Sequence, residues 1–191
     1  PHRPWSTHRR WSAEALAPSV EVVQQRIPVV SGNCHFLKGS AAEMARQLID
    51  DSRLAEALAM TDTTATAWRE FVRLDPGNAI SWSNLAVAYM IRGNALESMG
   101  RLSDAAANHR EAITLERQAP PGNVLLTGIL IFHAGRLAAI EASLGHGRAT
   151  ETALADGDRL VAKYAGMMPP NGFRQQATAS WPDFWRAIVA S

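Results

Sequence analysis

The chain has 191 residues, 47% of them apolar and 19% charged, which is ordinary for one well-buried globular domain. A net charge of +1, with basic residues interleaved among Glu and Asp, gives no global argument for nucleic acid or for an acidic substrate. The single Cys34 excludes an intramolecular disulfide and any CxxC metal framework, and no uninterrupted apolar run reaches the ~18 residues that span a bilayer.

Residues Pro1 to Trp11 place Trp5 and Trp11 among His2, Arg3, Arg9 and Arg10 without a period. They read as an irregular arm that packs its indoles on the body, in preference to one that stacks on a base or pairs with an anionic surface. Val20, Val23 and Ile27 have helical spacing with Pro18 in the first turn, and Ile27 to Phe36, with Pro28, Gly32 and Asn33, reads as a loop. Ser40 followed by Glu43 has the form of a capping box, so a helix is expected from Ser40 through Met44, Leu48 and Ile49 to a turn at Asp51-Ser52. The helix that follows, from Arg53 to Leu74, carries Thr61-Asp62-Thr63-Thr64, whose β-branched residues predict a break or distortion.

The segment Asp75–Glu116 organises the rest. A Pro-Gly-Asn turn opens it, an apolar stripe runs through Trp82, Leu85, Ala86, Tyr89 and Leu96, and Gly100 separates this from a second run led by Leu102, Ala105 and Ala106. Such a helical hairpin buries too little surface to stand alone, so neighbouring copies are expected. Pro76-Gly77-Asn78 recurs as Pro121-Gly122-Asn123 and Met99-Gly100 as Leu144-Gly145, both after 45 residues. A further turn, Pro169-Pro170-Asn171-Gly172, follows 49 residues after Pro121. Val124 to Leu144 is apolar nearly all round, as in a helix buried on most sides, and Gly128 and Gly135 on one face admit a close neighbour. Beyond the proline turn, Phe173–Ala179 and Pro182–Ala190 form a terminal helix broken before Pro182, with Trp181, Phe184, Trp185 and Ile188 available to cover the end of the stack.

Trp82, Leu85, Ala86 and Tyr89, then Ala105 and Ala112 with His109 at an aromatic position, and Leu74-Asp75-Pro76 closing the preceding unit, resemble the tetratricopeptide repeat family over roughly Ser40 to Ala165. About seven extra residues between Tyr89 and Gly100 add two helical turns and leave the apolar face in phase, which matches the long-helix variety. The second copy is weaker, with Thr127 and Ala134 in place of Trp82 and Tyr89 and Leu130 in place of Leu85. The resemblance implies an all-α fold: an N-terminal arm with one helix and a loop (1–39), antiparallel helical hairpins stacked as a solenoid (40–172) and a C-terminal capping helix (173–191). It also implies a scaffold that binds a protein or peptide through a first-helix groove, here Ile80, Ser83, Val87, Met90 and Ile91. Residues Val20 to Phe36 are the rival occupant of that groove.

No motif for catalysis, phosphate binding or metal ligation occurs, so the expectation is a non-enzyme without cofactor or metal. Cys34-His35 as an extended pair points its side chains apart, His109 and His133 read as hydrogen-bonded core residues, and His146 reads as exposed in a turn. Arg46 with Asp50 and Glu97 with Arg101 are expected to pair across solvated faces. Two rival functions stand beside the scaffold. One is a small-ligand or enzymatic pocket between the N-terminal segment and the hairpins, carrying Cys34, His35 or His133; the other is a structural or homodimerisation module using the Val124–Leu144 helix. The sequence opens at Pro1 without Met, as expected of a processed chain or a module of a larger protein. It contains no signal peptide, which favours the cytoplasm, without membrane insertion or a nucleic-acid partner.

Overall fold

The computed structural model describes residues 34–168 and 181–190, with side chains from residue 41 onward, and every element in it is a helix. The arm, the Val20–Ile27 helix, most of the Ile27–Phe36 loop, Phe173–Ala179 and the Pro169–Gly172 turn lie outside the described residues. In chain order the helices are α1 (Cys34–Asp50), α2 (Leu54–Leu74), α3 (Ala79–Ser98), α4 (Leu102–Gln118), α5 (Val124–Ser143), α6 (Gly147–Met167) and α7 (Trp181–Ala190). Short loops fold each helix from α3 to α6 back against its predecessor, so that consecutive helices from α2 through α6 pack together. In addition α3 packs on α5, and α7 packs on both α5 and α6.

Three connections share one chemistry. At the end of α3, Gly100 takes φ 70° and the Arg101 amide bonds back to the Leu96 carbonyl at 2.9 Å. At the end of α5, Gly145 takes φ 75° and the His146 amide bonds to the Glu141 carbonyl at 2.9 Å. The end of α1 is built the same way on Ser52, at φ 59°, with the Arg53 amide on the Leu48 carbonyl at 2.7 Å. The left-handed conformation is strained for Ser52, where glycine would be at ease.

The other connections carry asparagine caps. Asn78 Oδ1 accepts from the Ile80 and Ser81 amides at the start of α3, and Asn123 Oδ1 accepts from the Leu126 amide at the start of α5. Asn123 also donates from Nδ2 to the Ala79 carbonyl at 2.7 Å, which locks the two helix starts together. Ala79 and Val124, like Leu102 and Gly147, begin their helices 45 residues apart.

Packing follows the apolar stripe. Trp82, Leu85, Ala86, Tyr89 and Leu96 are all buried on α3, and Trp82 Nε1 donates to the Pro76 carbonyl at 2.9 Å, fastening the helix to the turn before it. Leu48 of α1, Ala57 of α2 and Ala95 of α3 share one apolar cluster. On α5, Leu126, Leu130, Ile131, Leu137 and Ile140 are buried. By length and composition α5 is long and apolar enough to cross a membrane, because His133, Arg136 and Glu141 interrupt its apolar run without lowering its average much; here it is covered by α3, α4, α6 and α7.

Four expectations are corrected. The helix does not begin at a Ser40 cap: α1 starts at Cys34, and Ser40 with Glu43 lies in its interior, where a capping-box pattern is compatible with continued helix. No break occurs at Thr61–Thr64. The hydroxyls of Thr61, Thr63, Thr64 and Thr66 bond carbonyls three or four residues back in α2, which lets β-branched polar residues continue a helix. Arg46 pairs with Glu43, not Asp50, and Glu97 turns from Arg101 to Arg136 of α5, leaving Arg101 to Asp104. In the last two cases an i,i+3 partner or a tertiary one displaces the i,i+4 one.

Candidate functional site

The five first-helix positions share a side of α3 but differ in access. Ile80 is 51% exposed, Val87 and Met90 are half-buried, and Ser83 and Ile91 are each 1% exposed. Ser83 is drawn inward by its hydroxyl, which donates to the Ala79 carbonyl at 3.1 Å and to Asn123 Oδ1 at 3.3 Å. Val87 and Ile91 line a cavity of about 20 Å³ whose other walls include Ala41, Ala42 and Ala45 of α1 and Trp68 of α2. The α1 helix thus lies beside part of the face, which leaves Ile80 and Met90 as its more accessible members. Leu125, the residue 45 positions after Ile80, is 61% exposed at the start of α5.

Beneath this face sits a buried polar relay that joins α3, α4 and α5. His109 and His133, each 0% exposed, meet Nδ1 to Nδ1 at 2.7 Å, and His133 Nε2 lies 3.0 Å from the Ala86 carbonyl. A carbonyl only accepts, so His133 Nε2 carries the proton, its Nδ1 is the acceptor, and His109 donates from Nδ1. The remaining ring nitrogen of His109 faces Glu97 Oε1 at 3.4 Å, and Glu97 is itself paired with Arg136. Burial pushes His109 down to about 4; burial, with His109 alongside, pushes His133 down to about 3. Both rings are therefore neutral near pH 7, as the expected core histidines.

A second polar junction surrounds Tyr89, whose hydroxyl donates to Glu111 of α4 and accepts from Arg69 of α2 at 2.8 Å. Burial first, then the Glu111 carboxylate, raises this phenol to about 12. It is a structural tie among α2, α3 and α4. Among the described residues no group of three or more His, Cys, Asp and Glu side chains is arranged to hold a metal ion. Cys34 and His35 occupy the first turn of α1 and so are not an extended pair.

A wider recess lies elsewhere, between α4 and α6. It has a volume of about 720 Å³ and a floor of Ile113, Leu137 and Ala153, with Arg110, Arg117 and Arg148 on its walls. His146 borders it, exposed as expected, with Nδ1 on the carboxylate of Glu141 at 2.7 Å; Arg110 pairs with the same buried carboxylate. Sequence reasoning missed this recess because Arg110 and Arg117, seven residues apart, look like an ordinary solvated stripe. The available signal was Glu141, an acid in an otherwise apolar helix, which had to find cationic partners. Comparison with protein-family models, with curated proteins and with solved structures returned no significant match.

Proposed function

We propose that the chain is a tetratricopeptide-like helical-hairpin module that binds a segment of a partner protein. The observation that carries this reading is the 45-residue offset at which helix starts, asparagine caps and left-handed glycines recur, with the two first helices, α3 and α5, packed side by side. In this reading α1–α2, α3–α4 and α5–α6 are successive units of a solenoid. The α7 helix stands where the first helix of a further unit would, touching α5 and α6 as α5 touches α3 and α4, and so caps the stack. The recognition face is the first-helix side, with Ile80, Met90 and Val87 offering apolar contact and Ser83 and Ile91 supporting them from beneath. The test is selection of peptides from a displayed random library on the folded chain, counter-selected on an Ile80→Asp, Met90→Lys variant. Enrichment of segments that bind the wild type and not the variant supports the reading. Failure to enrich any such segment, with both proteins folded, contradicts it.

A further inference from the structure

We propose that the recess between α4 and α6 is a second docking surface, which takes a short extended peptide segment alternating acidic and apolar residues. Its shape comes from α4 and α6 standing apart over α5, whose Leu137 makes the floor with Ile113 and Ala153. Ion pairs close the gap at both ends: Arg110 and His146 on Glu141 at one, and Arg159 with Lys163 on Glu116 at the other. Between them the wall on α4 runs from Arg110 to Arg117, seven residues, or about 10 Å of helix. An extended chain covers that distance in about three residues.

Charge selects the occupant. The acids around the recess are already engaged, Glu141 by Arg110 and His146, and Asp156 by Arg159 at 3.2 Å. Arg117 and Arg148 are exposed at the rim, on opposite walls, and have no hydrogen-bond or ion-pair partner among the described residues. Guanidinium forks match carboxylates bidentately, while the apolar floor would leave a purely charged ligand without contact below. An extended strand meets both demands at once, because alternate side chains point down to Leu137 and up to the rim. The surface involves none of Ile80, Ser83, Val87, Met90 and Ile91, so the two docking readings fail independently.

The experiment is fluorescence anisotropy with a labelled octapeptide of alternating leucine and glutamate, titrated with the wild-type chain. The same peptide is titrated with an Arg117→Glu, Arg148→Glu variant, with the neutral Arg117→Gln, Arg148→Gln variant and with Ile80→Asp, Met90→Lys, each checked for its helical spectrum. Saturable binding should weaken at least about tenfold in the charge-reversed variant, by less in the neutral one, and with rising salt, while Ile80→Asp, Met90→Lys binds as wild type. Equal binding by wild type and the charge-reversed variant overturns the proposal. So does absence of saturation, or tighter binding of poly(U), a phosphate polymer without apolar side chains, than of the peptide.

Discussion

His109 and His133 face each other through their Nδ1 atoms at 2.7 Å in the centre of the helical body, one from α4 and one from α5, with the Ala86 carbonyl of α3 fixing which ring donates. The contact orders the three helices without a charge in the core. Its sensitivity to acid follows from its burial. Both folded pKa values, about 4 and about 3, lie below the ordinary 6.5. A depressed folded pKa contributes stability that is complete above the unfolded pKa and is lost as pH falls below it, because the unfolded chain then binds protons the native one refuses. The urea midpoint should therefore fall between pH 7 and pH 5, with each histidine contributing up to about 1.4 kcal/mol per pH unit. A His109→Phe, His133→Leu variant should show a flatter profile, and an unchanged wild-type midpoint over that interval would contradict the assignment.

Gly93 of α3 sits against the same imidazole: a Cβ there would lie 2.7 Å from two His109 ring atoms and 3.1 Å from Asn108 Nδ2. His109 cannot swing aside freely while its Nδ1 is held by His133. Gly93→Ala should destabilise by about 1–3 kcal/mol despite the better helix propensity of alanine. In a His109→Ala background the added methyl should become neutral or stabilising. Chemical denaturation of the single and double variants decides, and additivity would contradict the contact.

The three like turns make a reciprocal prediction. Ser52→Gly removes the cost of a side chain in the left-handed region and should stabilise by about 1 kcal/mol, whereas Gly100→Ser should destabilise by a similar amount. Melting temperatures of the two variants test it, and a loss in both would show that the Ser52 turn differs from the Gly100 turn.

Trp82→Ala should cost roughly 3–5 kcal/mol, since the indole is 5% exposed and its Nε1 holds the Pro76 carbonyl. A loss below about 1 kcal/mol in urea titration would contradict that placement. At the other end of the body a Cβ on Gly135 would lie 2.0 Å from Trp185, so Gly135→Ala should displace α7 and red-shift tryptophan emission. Emission unchanged from wild type would contradict that contact.

The helical hairpins were legible from residues 75 to 167 because turn chemistry and apolar period agree there: Pro-Gly-Asn before each first helix, glycine after it, and Trp82, Tyr89 and Leu130 on the buried stripe. Trp185 over Gly135 was partly legible, since a conspicuous small residue in an apolar helix asks for a close neighbour. What failed was the reading of polar residues from their sequence neighbours alone, because a hydroxyl can bond its own helix backbone and a charge can take a partner far along the chain. Thr61 and Thr64 are satisfied within their own helix, Glu97 is claimed by Arg136, and Glu141 gathers Arg110 and His146. The stripe of Ile80, Ser83, Val87, Met90 and Ile91 was legible as one side of a helix, but its depth was not, because the inward turn of Ser83 depends on Asn123, forty residues away.

Binding of a protein segment on the first-helix side is the proposed function. The direct measurement is amide hydrogen exchange of the folded chain with and without a library-selected segment. Exchange should slow in α3 and at the start of α5, with no such slowing in the Ile80→Asp, Met90→Lys variant. Slowing confined to other helices, or the same pattern in the variant, would contradict it.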